Sequence, residues 1–203
     1  MIKVYGFTRS RSDRAVWVLE ESGTPYEFVA LDFAAGEQTQ DDYVALNPAA
    51  KVPTLVDGEL VLTESAAIVN YVASVYGNGL IPSDPGERAC YDRWCYFALT
   101  ELEQPLWTMG KHRFALPKEQ RVKEIFPTAA WEYQKALALF SEGLDDQPFI
   151  LGDQFTGADI LLGHTLNWGV NFEQPLEQQN LQDYRERLND REAVVRMRQR
   201  HSS

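Results

Sequence analysis

The rhythm of apolar and polar positions changes near residue 80, and that change divides the chain. Before it, short β-type runs alternate with helical stripes. Ile2 to Gly6 reads as a strand, and Tyr26 to Leu31 as a second. Between them, Arg11 to Ser22 places apolar residues at Ala15, Val16, Val18 and Leu19 and stops at Gly23, the pattern of a helix with a glycine stop. Asp41 to Leu46 predicts a short helix. Thr54 to Val56 and Leu60 to Leu62 flank Asp57-Gly58, a two-residue hairpin signal, and Ser65 to Tyr76 returns to helical spacing. Strands interleaved with helices predict an α/β unit over residues 1–77.

Gly77 to Gly86, rich in glycine and proline, reads as a linker. From Glu87 to His201 the pattern is amphipathic helix, with runs at Glu87 to Phe114, Lys118 to Leu139 and Ala158 to Trp168 and shorter pieces from Asn180 onward. Residues 87–203 are therefore expected to form an all-helical domain. Thr156 and Asp159 have the spacing of a capping box, with Phe155 and Ile160 as its hydrophobic staple.

Composition leaves this division intact. A chain of 203 residues can hold one large domain or two small ones. With 44% hydrophobic and 24% charged residues it has the balance of a globular protein. No apolar run approaches the roughly eighteen residues needed to cross a bilayer, and Met1-Ile2-Lys3-Val4-Tyr5 lacks a signal layout, so a cytoplasmic protein with no membrane partner is expected. The net charge of -11 argues against a nucleic-acid partner. It also repels anionic small molecules, so a site for one needs local cations. Arg9, Arg11 and Arg14 could supply them at the first loop; the other reading is a solvated helix face. Cys90 and Cys95 sit on one predicted helix and point about 140° apart, so they cannot pair. Neither they nor the isolated His112, His164 and His201 have metal-ligand spacing, and no metal is expected.

Two segments carry candidate chemistry. In Asn47-Pro48-Ala49-Ala50-Lys51-Val52-Pro53-Thr54, Val52 is β-branched and precedes proline, which biases it to extended geometry. Its own N–H and C=O are then open to an extended, peptide-like ligand by strand addition. In Thr63-Glu64-Ser65-Ala66-Ala67-Ile68, Glu64 and Ser65 stand at a helix start. Ser65 can be a plain cap; equally, the first-turn amides can receive a carboxylate while Glu64 takes an ammonium group. An α-amino acid end group needs both.

Together, Asn-Pro-x-x-Lys-Val-Pro-x-Leu-x-Asp-Gly followed by Glu-Ser-x-Ala-Ile resembles the glutathione-binding signature of the glutathione transferases. The resemblance implies a thioredoxin-like N-terminal domain over 1–77, an all-helical C-terminal domain over 87–203, and glutathione as co-substrate. It implies that Val52 pairs with the cysteinyl backbone, that Pro53 is cis, and that Glu64 and Ser65 hold the γ-glutamyl end. A His-Lys pair frequent in the family is replaced by Gln38-Thr39, which leaves Lys51 to supply charge at the glycyl end. Pro148 to Ile160 is similar to the family's C-domain motif, and Asn180 to Arg191 to its closing helices, so the likeness covers nearly the whole chain.

Glutathione chemistry needs a thiolate, and a thiol of ordinary pKa about 8.5 is mostly protonated at pH 7. The loop Phe7-Thr8-Arg9-Ser10-Arg11-Ser12-Asp13-Arg14 offers a hydroxyl and a helix start, and is similar to that of the serine-type transferases. Ser10 is the first choice for the thiolate donor and Ser12 the second. Ser10 and Asp13 also have capping-box spacing, so a purely structural Ser10 stays open. Tyr5 falls on the opposite strand face and reads as core, and the loop has no cysteine for disulfide exchange. Phe7, Trp107, Met109, His112 and Phe114 are the candidates for a pocket holding a small hydrophobic electrophile. The expected protein is a homodimeric glutathione S-transferase, with peroxidase or isomerase chemistry differing only in substrate. A non-catalytic binding or scaffold module is the alternative.

Overall fold

A computed structural model describes residues 1–77 and 79–200 and divides the chain into two compact units. The first is Met1–Ile81 together with the residues from Asp190 onward. Its sheet has the order β2-β1-β3-β4, formed by β1 (Ile2–Gly6), β2 (Tyr26–Ala30), β3 (Thr54–Asp57) and β4 (Leu60–Thr63). β1 and β2 run parallel, with Val4 opposite Phe28. β3 runs antiparallel to both β1 and β4, with Leu55 opposite Val4 and Leu62. The right-handed demands of a parallel pair explain the helix between β1 and β2, whereas Asp57-Gly58 closes β3 onto β4 directly.

Helix α1 (Ser12–Ser22) packs against α3 (Ser65–Val75), and Val16, Trp17, Val18, Leu19, Ile68, Val69 and Val72 join Val4 and Leu55 in the core. Gly23 stops α1 in the left-handed conformation at φ 67, as the sequence predicts. A single 3-10 turn, Glu37–Thr39, which the sequence pattern did not indicate, precedes α2 (Asp41–Val44).

The second unit, Pro82–Asn189, is helical. The expected linker ends early because Asp84 caps α4 (Pro85–Phe97): its Oδ1 accepts from the N–H groups of Gly86 and Glu87 at 2.9 and 3.0 Å, and Pro85 occupies the first turn. The run expected to continue unbroken to Phe114 widens to π geometry at Ala98–Leu102, resumes as α5 (Glu103–Gly110), and widens again at Lys111–Ala115. Pro105 explains the first widening. Its ring would clash with the carbonyl of Glu101 in a regular helix.

The expected helix from Lys118 begins instead at Phe126. Only 3-10 turns occupy Lys118–Gln120 and Lys123–Ile125, and Pro127 marks the first turn of α6 (Phe126–Leu144). The largely buried α7 (Gly157–Asn171) packs against α4 and α8 (Gln179–Asn189). The predicted capping box at Thr156 and Asp159 is present, and Phe155 and Ile160 are both buried beside it. No helix is long and apolar enough to cross a membrane among the described residues.

The last helix, α9 (Glu192–Arg200), groups with the first unit, whereas periodicity alone carried the helical domain to residue 203. Ala193, Val194 and Met197 are buried, and α9 packs on α1. Arg191 Nε meets Glu21 Oε1 at 2.6 Å and Arg196 Nε meets Glu20 Oε2 at 2.8 Å.

Candidate functional site

The loop after β1 turns through Arg9, at φ 61, into α1. Ser10 Oγ lies 2.6 Å from the carbonyl oxygen of Phe7 and 2.9 Å from Ser12 Oγ, and accepts the Ser12 N–H at 3.1 Å. The residue before α1 is Arg11, so the Ser10–Asp13 capping box expected from spacing is not the helix cap. Ser10 is half-buried; Ser12 is fully buried. A Cβ on Gly6 would stand 2.2 Å from Ser12 Oγ, so this serine is wedged against the strand. That enclosure removes Ser12 as the second candidate for contact with a ligand thiol. Arg14, read from sequence as part of a basic loop, is fully buried on α1 and its Nη1 donates to Ser65 Oγ at 3.2 Å.

The Asn47–Thr54 segment is fixed from behind. Asn47, buried, donates from Nδ2 to the carbonyl of Lys51 at 2.8 Å and to Thr54 Oγ1 at 3.1 Å. Tyr43 OH also donates to the Lys51 carbonyl and pairs with Thr54 Oγ1 at 2.8 Å. The Val52-Pro53 bond is cis. Val52 is half-buried, Pro53 buried and Lys51 exposed. Val52 makes no main-chain hydrogen bond with another described residue. Gln38 lies on the Glu37–Thr39 turn, and its buried Oε1 has no hydrogen-bond partner among the described residues.

At the start of α3, Glu64 precedes the helix at φ 66 and ψ 112, and its exposed side chain makes no capping bond. Ser65 is the first helical residue rather than the cap, and it is buried. The arrangement is an exposed carboxylate beside first-turn amides that attract negative charge. One ammonium and one carboxylate, held a few ångströms apart, can be received there.

In the helical unit, Trp107 packs against Trp168 with ring centroids 6.4 Å apart, and Trp168 against Phe172 at 5.7 Å. Phe114, 56% exposed, stands edge-on to Phe172 at 6.4 Å. His112 is tied locally, its Nδ1 accepting the Val122 N–H at 3.0 Å. Met109 is 2% exposed and belongs to the core, whereas Trp107, His112 and Phe114 in this unit keep accessible surface. In the first unit, Phe7 packs on Phe33 at 4.5 Å. Two cavities, one in each unit, of about 180 and 280 Å³, are lined by none of the residues chosen from sequence. A ligand lying along the main chain of Val52, ahead of β3, needs a groove rather than a cavity.

Comparison with known proteins places both units. The family of glutathione S-transferase N-terminal domains matches residues 1–74, and that of the C-terminal domains residues 104–192. A probable glutathione S-transferase GSTF2 of Oryza sativa subsp. japonica is 33% identical over 172 residues, which span 78% of this chain and 76% of that protein. Glutathione S-transferase 3 of Zea mays is 43% identical over 171 residues, 78% of this chain and 73% of that protein. The chain belongs to the glutathione S-transferase family. Among solved structures, the theta class glutathione S-transferase of Xanthomonas axonopodis pv. citri, with glutathione bound, superposes with a TM-score of 0.83 at 34% identity, covering 96% of this chain and 95% of that one.

Several residues that shape this transferase's candidate site escape a sequence reading. Arg14 shares a helical stripe with the apolar Val18, four residues on, and that position was the available signal of its burial. Asn47 belongs to the motif, but its role in holding the Lys51 carbonyl was not read from it, and Tyr43, which holds the same carbonyl from α2, was not singled out. Trp168 on α7 and Phe172 at its C-cap, four positions apart, could have been read as an aromatic stripe.

Proposed function

We propose that this transferase binds glutathione extended along Val52 and Pro53, with the γ-glutamyl end at Glu64 and Ser65, and that Ser10 stabilises the thiolate for attack on a small apolar electrophile. The observation that carries the reading is Glu64. A non-glycine residue at positive φ costs about 1–3 kcal/mol and persists where its surroundings enforce it, commonly at ligand clamps. Here that conformation sets a free carboxylate beside the first-turn amides of α3. The ammonium of a γ-glutamyl group suits the first and its carboxylate the second.

The unpaired main chain of Val52 suits the cysteinyl unit, because Asn47 and Tyr43 already hold the preceding carbonyl. Gln38 and Lys51 are left for the glycyl carboxylate, with a single positive charge between them. Ser10 turns its hydroxyl from the Phe7 carbonyl to the thiolate, and the amides at the start of α1 add to the same stabilisation. Phe7, in the same unit as Ser10, is the group assigned to the apolar body of the electrophile.

A cytoplasmic homodimer is part of the proposal. Leu60, Val61 and Val75 in the first unit, and Tyr96, Trp131 and Leu139 in the second, are exposed apolar residues that a second copy would cover.

Retention on immobilised glutathione tests the binding site: wild type is expected to stay bound and Glu64→Ala to elute early. Undiminished retention of the variant would remove Glu64 from the site. For catalysis, Ser10→Ala is expected to keep glutathione affinity, to return the bound thiol toward its ordinary pKa of about 8.5, and to lower turnover at pH 7 by about tenfold to a hundredfold. Unchanged turnover on a panel of electrophiles would sink the role of Ser10.

A further inference from the structure

Arg14 and Ser65 lie 51 positions apart and meet at 3.2 Å, so a charged side chain of α1 reaches the first turn of α3 inside the unit. Arg14 is fully buried, which keeps it from touching a ligand in the groove. Ser65 is a route by which it can act on a ligand there. A hydroxyl has one proton and two lone pairs. Because the guanidinium can only donate, Ser65 Oγ must accept from it, and the Ser65 proton is left to donate elsewhere. A donor that itself accepts from a cation is polarised and strengthened.

The first turn of α3, Ser65-Ala66-Ala67-Ile68, carries no cation of its own, and the molecule's net charge of -11 opposes an incoming anion. Arg14 is the positive charge bonded to this turn.

We infer that Arg14 is a positioning residue that fixes Ser65 as a hydrogen-bond donor, so that the start of α3 selects a ligand bearing an α-carboxylate next to its ammonium group. The inference rests on the assignment of the γ-glutamyl end to Glu64 and Ser65, and it adds a cause for selectivity. Without Arg14 the Ser65 hydroxyl can rotate to accept, and its preference for an anion falls.

The test compares two ligands by calorimetric titration of the full-length protein: glutathione, and 4-aminobutanoyl-cysteinylglycine, which lacks only the γ-glutamyl α-carboxylate. Wild type is expected to prefer glutathione by about tenfold or more. In Arg14→Met that preference should shrink by about tenfold through weaker glutathione binding, with affinity for the analogue little changed. In turnover, KM for glutathione should rise more than kcat falls. Arg14→Lys, which keeps a cationic donor, should recover part of the preference, and Arg14→Met should add no further loss of preference in a Ser65→Ala background.

A folded Arg14→Met that keeps the wild-type preference, or that weakens both ligands equally, overturns the inference. Should that variant fail to fold, Arg14→Leu, which likewise removes the donor, replaces it, and an undiminished preference in it overturns the inference equally. A wild-type protein that does not distinguish the two ligands is a different failure: it overturns the assignment of the γ-glutamyl α-carboxylate to Ser65 and the first turn of α3.

Discussion

Asp13 lies in the first turn of α1, where a carboxylate gains from free amides, yet burial pushes its pKa up from 3.8 to about 7. The Arg9 N–H and the charges of Arg198 and Arg9 pull in the other direction without cancelling that effect. A folded pKa above the unfolded one means the folded protein binds the proton more tightly. Its contribution to stability is full below about pH 4 and is lost as pH rises through about 7. Asp13→Asn is therefore expected to lose less stability than wild type between pH 4 and pH 7, measured by denaturant unfolding at intervals across that range. Parallel curves for the two proteins would show that Asp13 titrates at its ordinary value. The neighbouring Ser10 shows what spacing can and cannot reveal. Its place in the loop was legible, but the Ser-x-x-Asp pattern suggested a cap that the helix does not use, since α1 begins at Ser12. Burial of Ser12 was not legible, because it depends on Gly6, and neither was the bond from Arg14 to Ser65, because the fold brings that serine from 51 positions away.

Elements whose ends are written in local sequence appeared where spacing predicted them. Gly23 closes α1, Asp57-Gly58 closes the β3-β4 hairpin, and Thr156 opens α7. Each depends on residues within one turn. The helical runs of the second unit were misjudged where periodicity continued across a proline: Pro105 forces a π segment, and Pro127 sets the start of α6 later than the apolar stripe suggested. The strongest local device has a reach that its sequence hides. Asp159 accepts from the N–H groups of Ile150 and Thr156 at 2.9 and 2.8 Å, from Thr156 Oγ1 at 3.0 Å, and from Tyr184 OH at 2.7 Å on α8. Removing the carboxylate strands all of these donors in the interior. Asp159→Ala is expected to cost about 3 kcal/mol or more, because each buried donor left without a partner costs about 1–3 kcal/mol. Equilibrium unfolding measures it, and a loss under about 1 kcal/mol would mean that water replaces the carboxylate.

At the scale of the molecule, the chain leaves its first unit at Ile81, builds the helical unit, and returns from Asp190 to finish the first. Nothing local marks that return, since α9 is as amphipathic as the helices before it. What fixes it is complementarity with α1: Val194 and Met197 bury their side chains, Arg196 pairs with Glu20, and Arg191 makes a two-point bond to Glu21, at 2.6 and 2.8 Å. Glu21 also accepts from Trp17 Nε1 at 2.9 Å, and Glu20 from Tyr26 OH at 2.8 Å, so the two acids join α9, α1 and β2. Surface ion pairs contribute little, but both glutamates are largely shielded, and removing their partners leaves buried charge behind. Deleting the chain from Arg191 onward is therefore expected to destabilise the first unit by about 3 kcal/mol or more, combining stranded acids with the loss of three buried apolar side chains. The effect belongs to one unit, so a global melting temperature is a poor measure of it. Hydrogen exchange resolves the difference: amides of α1 should lose protection in the truncated protein while those of α6 and α7 keep theirs. The same pattern, weaker, is expected of the Arg191→Met, Arg196→Met double variant. Equal loss in both units would make α9 a brace for the whole chain, and no loss in α1 would make it an ornament to the first unit rather than part of its core.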